Sequence, residues 1–173
     1  FFVLLILLIP IIVIVSFLGI IITLLSGFAA AVDNTDYASG SGASIVAVAV
    51  QEIGYHEGAG NHTKYGVYTG TDGMSWCHAF VSWCANECGF IESNIIPKTA
   101  ACETGRQWFI HKQQYQKAGS YTPQAGDIIY FDKGGVGESH HVGIVEYVEN
   151  GIVHTIEGNK NNQVMRGHYE LTY

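Results

Sequence analysis

The sequence predicts an α+β domain in which helices come first and an antiparallel sheet follows, with a long apolar segment ahead of them. Three observations lead there. Residues 1–32 carry no charged side chain and are almost entirely Ile, Leu, Val, Phe or Ala. Over residues 75–89 and 105–117, apolar side chains recur at helical spacing. After Pro123 come short runs rich in Ile, Val, Thr and Tyr, divided by Asn and Gly turn signals. A block of helices followed by a block of strands is the pattern of an α+β layer architecture.

The apolar segment is longer than the about 20 residues that a membrane-spanning helix requires, and Pro10, Gly19 and Gly27 are tolerated in such helices. Residues 1–32 are therefore expected to be a transmembrane anchor. A secretory signal peptide cleaved near Ala29-Ala30-Ala31 is the competing reading, although its apolar core should run only about 7–15 residues. Both readings put the following domain outside the cytoplasm, so the expected location is the cell membrane, single-pass, with an extracytoplasmic domain. Asp33 and Asp36 are the first charges after the segment, and no Lys or Arg precedes Lys64. A first residue of Phe rather than Met suggests a fragment or a processed form. Residues 33–42, with Ser39-Gly40-Ser41-Gly42, read as a flexible linker, and residues 43–173 as the domain. The 15 acidic against 8 Lys and Arg residues give a net charge of −7. With no basic run to neutralise phosphates, a nucleic-acid partner is not expected.

In Ser44 to Ile53 the Val residues alternate with Ala as in a strand, yet the run ends in Gln-Glu-Ile-Gly, which suits a helix C-terminus, so a helix is expected. Gly54 to Gly73, rich in Gly, Asn, Tyr and Thr, is expected to be an irregular loop whose Tyr55, His56, Tyr65 and Tyr68 either line a cleft or sit on the surface. Ser75 to Gly89 is the central helix, with Ser75 as N-cap and Gly89 just past the C-cap. Its Cys77, Phe80, Val81, Cys84 and Cys88 share one stripe at 100° per residue. Gly105 to Lys117 reads as an amphipathic helix anchored by Trp108, Phe109 and Tyr115. Pro123 to Asp127 is a turn. Strands are expected over Ile128–Asp132, Val142–Val148, Ile152–Glu157 and Gln163–Thr172, with Asn150-Gly151 as a hairpin turn.

The chemistry centres on Cys77. In the first turn of a helix, unpaired backbone N–H groups and the positive end of the dipole favour a thiolate. His141 opens one strand, and Glu157 ends another. On a period of two, Thr155, Glu157 and Asn159 face the same way, presenting a carboxylate and an amide together. A thiolate, an imidazole and a polar group that fixes the imidazole are the parts of a Cys/His hydrolase. His140 competes with His141, since only one of two neighbours on a strand can face the helix. His78 is expected in solvent, about 100° round the helix from Cys77. Cys77 and Cys84 lie about 10 Å apart along the axis, too far to share a tetrahedral metal ion. Cys88 and Cys102 are expected to form a disulfide, with Cys84 buried and free.

Four blocks of the sequence together resemble the CHAP family, the cysteine, histidine-dependent amidohydrolases/peptidases of bacterial cell walls. They are Trp76-Cys77-x-x-Phe80-Val81-Ser82-Trp83-Cys84, Gly126-Asp127-Ile128-x-Tyr130-Phe131-Asp132, His141-Val142-Gly143-Ile144-Val145 and Ile156-Glu157-Gly158-Asn159. They occur in the family's order, and the resemblance covers residues 43–173. It implies a papain-like α+β fold related to NlpC/P60 enzymes. It also implies Cys77 as nucleophile, His141 as base, Glu157 as the residue orienting it, and Asn159 as a further polar member. His78 departs from the small residue usual after the nucleophile. The chain also stops before the final strand and Gly-containing tail of many relatives, as a truncated C-terminus would. No Asp-rich calcium loop is present, so no metal and no cofactor are expected.

The resemblance implies peptidoglycan as substrate and hydrolysis of an amide, either N-acetylmuramoyl-L-alanine or a peptide bond of the stem or cross-bridge. The apolar N-terminus adds the membrane as a partner, and conjugation machinery or phage wall penetration as a setting. The alternative is a catalytically idle wall-binding or scaffold module of a secretion apparatus that keeps the fold.

Overall fold

The structure is a computed structural model that describes residues 42–132, 134, 135 and 137–171. The expected membrane span over residues 1–32 and residues 33–41 of the expected linker lie outside the described residues, whereas Gly42, expected to end that linker, is the first residue of a helix. Among the described residues, no helix is long and apolar enough to cross a membrane. Four helices come first: α1 (Gly42–Gln51), α2 (Lys64–Thr69), α3 (Cys77–Glu87) and α4 (Cys102–His111). Four strands follow: β1 (Ile128–Phe131), β2 (His141–Glu149), β3 (Ile152–Lys160) and β4 (Gln163–Glu170). They form one antiparallel meander in the order β1-β2-β3-β4. The α+β class is observed, and helices packed on an antiparallel sheet are compatible with a papain-like fold.

The core lies where α3 crosses the sheet. Phe80, Val81, Cys84 and Ala85 of α3 pack with Val142 and Ile144 of β2 and Ile156 of β3, all buried. A fully buried side chain of this kind contributes about 1.5–3 kcal/mol. The expected stripe on α3 is buried, with Cys88 half-buried at its end. Yet His78, Ala79 and Ser82 are buried as well, because α1, α2 and α4 cover the other sides. Gly158 of β3 makes the crossing close: a Cβ there would fall 2.4 Å from Phe80 Cβ.

Several local expectations need correction. Ser75 is not the N-cap of α3; Trp76 holds that position, with no side-chain capping bond. The start is fixed by tertiary contacts instead. Trp76 is fully buried, stacks on Tyr65 at 5.3 Å and donates its indole N–H to Glu57 at 2.6 Å. Tyr65 is therefore a core residue and lines no cleft. Residues 54–73 are not wholly irregular either, since they contain α2. Thr63 Oγ1 accepts from Gly66 N at 2.9 Å to start it, and Gly70, at φ 76°, ends it. The C-terminus of α3 follows the expectation. Gly89 has φ 73°, and the bonds Gly89 N to Asn86 O and Phe90 N to Ala85 O make a Schellman cap. The expected helix over 105–117 begins and ends earlier, at Cys102 and His111.

The β2–β3 turn has Asn150 and Gly151 at φ 51° and 77°, the left-handed pair of a two-residue hairpin. Asn161 and Asn162, at φ 52° and 64°, make the next turn in the same way. Between Glu157 and Lys160 the β3–β4 register shifts, and Asn159 there has φ 57°. This irregularity ends the strict alternation of β3.

Candidate active site

Cys77 is the first residue of α3 and is 4% exposed. Its sulfur meets two side chains. Cys102, the first residue of α4, has its Sγ 3.3 Å away. His141, the first residue of β2, also shares a hydrogen bond with it. The Cys102 bond and, against burial, the bond to His141 and its charge hold the Cys77 thiol well below its usual range. The backbone N–H of His78 adds to this from the first turn of the helix. Cys102 moves the other way, raised by its bond to Cys77 and then by burial, so it remains a thiol.

His141 Nε2 lies 2.8 Å from Glu157 Oε2, leaving Nδ1 for Cys77. Burial works against the charged imidazole, but the bonds to Cys77 and Glu157 outweigh it and raise His141 to about 9. Both shifts favour a thiolate–imidazolium pair at neutral pH. His140, its neighbour, is exposed.

Glu157 is fully buried, and it is the most heavily bonded side chain of the site. Besides His141, its carboxylate accepts from Thr155 Oγ1 at 2.5 Å, Lys160 Nζ at 3.1 Å and Tyr169 Oη at 2.8 Å. Desolvation alone would raise this carboxyl; the bonds from His141, Thr155, Tyr169 and Lys160 reverse that and hold it down to about 2. The space for it comes from glycines on both neighbouring strands. A Cβ at Gly143 of β2 would lie 2.9 Å from Glu157 Cγ, and one at Gly167 of β4 would lie 2.0 Å from Oε1. Gly167 is the cross-strand partner of Thr155. Thr155 and Glu157 do share a face, as the period of two requires. The sequence places Thr155 on the face of Glu157 but gives no bond between them, and the roles of Lys160 and Tyr169 come from the structure alone. The Thr-x-Glu-x-x-Lys spacing is the one local signal that could have found two of them.

Asn159 does not continue that face toward His141, because the register shift intervenes. Its amide donates to Ser75 Oγ at 3.2 Å, two residues before Cys77. Asn159 therefore fastens the end of β3 to the entry of α3.

His78, expected in solvent, is fully buried. Its Nδ1 lies 3.0 Å from the Thr99 carbonyl and its Nε2 2.9 Å from Tyr130 Oη. A carbonyl can only accept, so Nδ1 carries the proton and Nε2 accepts from Tyr130. Burial lowers this histidine's pKa and keeps it neutral. Ser82 Oγ holds the same connection, accepting from Thr99 N at 3.0 Å and donating to its carbonyl at 2.7 Å. His78 is therefore a strut between α3, the connection after it and β1. Gly105 of α4 leaves room for it: a Cβ there would fall 2.0 Å from His78 Nε2.

The expected Cys88–Cys102 disulfide is absent, and all four cysteines are free thiols. Cys102 sits at the opposite end of α3 from Cys88, against Cys77, so the anticipated partner is out of reach. Cys84 is buried and free. Among the described residues, no three His, Cys, Asp or Glu side chains gather as a metal site.

The arrangement can deliver a sulfur nucleophile to a carbonyl carbon and a proton from His141 to a leaving nitrogen. The family model for the CHAP domain matches residues 69–159, just over half of the chain. A solved structure, that of Ly7917, aligns with a TM-score of 0.47 and 16% sequence identity, over 76% of this chain and 57% of that one. This chain thus spans little more than half the length of that protein. No curated protein matches it.

Proposed function

The chain belongs to the CHAP family, whose members are amidases and peptidases of the peptidoglycan-hydrolase type, and we propose that it hydrolyses an amide bond of the bacterial cell wall through Cys77, His141 and Glu157. The observation that carries this reading is the unbroken line from the Cys77 sulfur through the His141 ring to the buried Glu157 carboxylate.

In the proposed reaction the Cys77 thiolate attacks the scissile carbonyl, and backbone N–H groups at the start of α3 face the developing oxyanion. His141 Nδ1 gives its proton to the leaving amine, which departs and leaves a thioester on Cys77. The now neutral imidazole takes a proton from water, the hydroxide attacks the thioester, and the acid product leaves. Glu157 holds the ring in position and stabilises its charged form at rest. Asn159, bonded to Ser75, shapes the cleft edge next to the nucleophile. We place the enzyme on the outer side of a membrane, anchored by residues 1–32, as machinery for conjugation or phage wall penetration would use it. The uncharged length of that segment supports the anchor.

A gel containing purified cell walls tests the reading: the chain should clear a band, and Cys77→Ser should not. Mass spectrometry of the released fragments then names the bond, since an amidase frees intact stem peptides and an endopeptidase leaves muramic acid substituted. Binding to walls without clearing would make the chain an idle wall-binding module and overturn the proposal.

A further inference from the structure

Hydrolysis uses a thiolate, an imidazole and a carboxylate, and nothing in it calls for a second thiol. Yet Cys102 Sγ lies 3.3 Å from Cys77 Sγ, across 25 residues of sequence. Each cysteine is the first residue of its helix, so α3 and α4 meet sulfur to sulfur at their N-termini. We propose that Cys77 and Cys102 are an oxidation site that takes a small peroxide, with Cys102 as the resolving thiol that converts an oxidised Cys77 into a disulfide.

The geometry selects this pair over any other. A disulfide needs sulfurs about 2.05 Å apart, so the two atoms must close by little more than an ångström. Cys84 lies about 10 Å along α3 from Cys77, and Cys88 stands at the far end of the same helix. Both residues are buried, Cys77 at 4% and Cys102 at 8% exposure, so the oxidised Cys77 sulfur meets Cys102 before bulk reagents. Their protonation states are also suited: the thiolate is the form that peroxides attack, and a neighbouring thiol is what prevents further oxidation.

The chemistry balances as follows. The Cys77 thiolate attacks one oxygen of hydrogen peroxide; the O–O bond breaks, hydroxide leaves, and Cys77 becomes a sulfenic acid. Cys102 then attacks the Cys77 sulfur, the S–S bond forms and the S–O bond breaks. The departing hydroxide carries off the Cys102 proton as water. Two thiol sulfurs are oxidised, and one peroxide is reduced. An external dithiol reverses the bond by thiolate exchange, itself ending as a disulfide.

The test uses the full chain, reduced, freed of reductant and exposed to hydrogen peroxide. Free thiols are then alkylated under denaturing conditions, and the digest is mapped by mass spectrometry. The expected result is a cross-linked peptide joining Cys77 to Cys102, two hydrogens lighter, with Cys84 and Cys88 alkylated. Dithiothreitol should remove it. In Cys102→Ser the same treatment should leave Cys77 with two added oxygens that dithiothreitol does not remove. Wild-type protein whose Cys77 gains two oxygens while Cys102 stays alkylatable would overturn the proposal, as would a bridge to Cys84 or Cys88. The wild-type map decides the matter even if the variant fails to fold. Loss of wall hydrolysis on oxidation rests on Cys77 being the nucleophile, whereas the bond does not. A bridge that forms while hydrolysis continues supports the oxidation site and sinks the nucleophile.

Discussion

Two histidines stand beside Cys77, one next to it in the chain and one next to it in space, and their surroundings give them different charge states. His78 is fully buried between a carbonyl that only accepts and a tyrosine hydroxyl that donates to it, and burial keeps it neutral. His141 keeps 29% of its side chain in solvent and lies between a carboxylate and a thiolate, which raise it to about 9. Sequence adjacency to the nucleophile thus confers no role in its chemistry. What decides is the charge of the partner: neutral dipoles make a strut, and anions make a proton carrier.

The comparison breaks most visibly at His141. His141→Ala should cost about a thousandfold in wall-hydrolysis rate, within the range for a lost acid–base group. A variant retaining most of its rate would strip His141 of its proposed part. Next comes the anion that charges it. Glu157→Gln keeps the shape of the side chain but removes the charge, and should lower the His141 pKa by about 1–3 units, moving the alkaline limb of the rate to lower pH. A histidine NMR titration reads this without substrate, and an unmoved His141 would contradict the account.

The same two groups set a pH window for stability. His141 is raised above its ordinary 6.5 to about 9, so its contribution is complete below about 6.5 and is lost as pH rises through 9. Glu157 is held down to about 2 from 4.5, so its contribution is present above about 4.5 and is lost as pH falls toward 2. Cys77, held down to about 4 from its ordinary 9, works in the opposite sense to His141 and adds stability as pH rises to 9. Denaturant unfolding of the wild type should therefore show stability climbing to about pH 6.5 and a plateau from there to about 9, and Glu157→Gln should flatten the acid edge.

Changes at the strut should touch stability before chemistry. Gly105→Ala drives a methyl into His78 and Tyr130 and should cost about 1–3 kcal/mol, as overpacking does. Thermal unfolding would show it; an unchanged Tm would mean that α4 does not press on His78. The smallest effect is expected from Tyr130→Phe, which leaves Nε2 of a buried neutral ring without its donor and should cost about 1 kcal/mol. Its His141 titration should match the wild type.

Much of this was legible where the signal is local. A cysteine in the first turn of an uninterrupted amphipathic run, Gly89 after it, and the Asn150-Gly151 turn all act within a few residues of themselves. The alternation that pairs Thr155 with Glu157 is likewise a property of one strand. What escaped depends on residues far apart in the chain. The depth of His78 is set by Tyr130 and Thr99, and the neighbour of Cys77 arrives on another helix at Cys102. Local propensity also misled at Ser75, a good N-cap by type, because the burial of Trp76 and its bond to Glu57 place the helix start instead. The six residues of α2 are too few to show a period, although Thr63 and Gly70 bracket them. Asn161-Asn162 carries a left-handed turn signal that was there to be read.

The glycines at 143 and 167 have a consequence for tolerance to variation. Neither would touch a substrate, yet each borders the slot that Glu157 fills, on the strands either side of it. In a saturation scan for activity, the footprint of the site should therefore run as a band across three strands. Positions that perform no chemistry would score as intolerant as those that do, and alanine, the mildest replacement elsewhere, would be as harmful there as any larger residue.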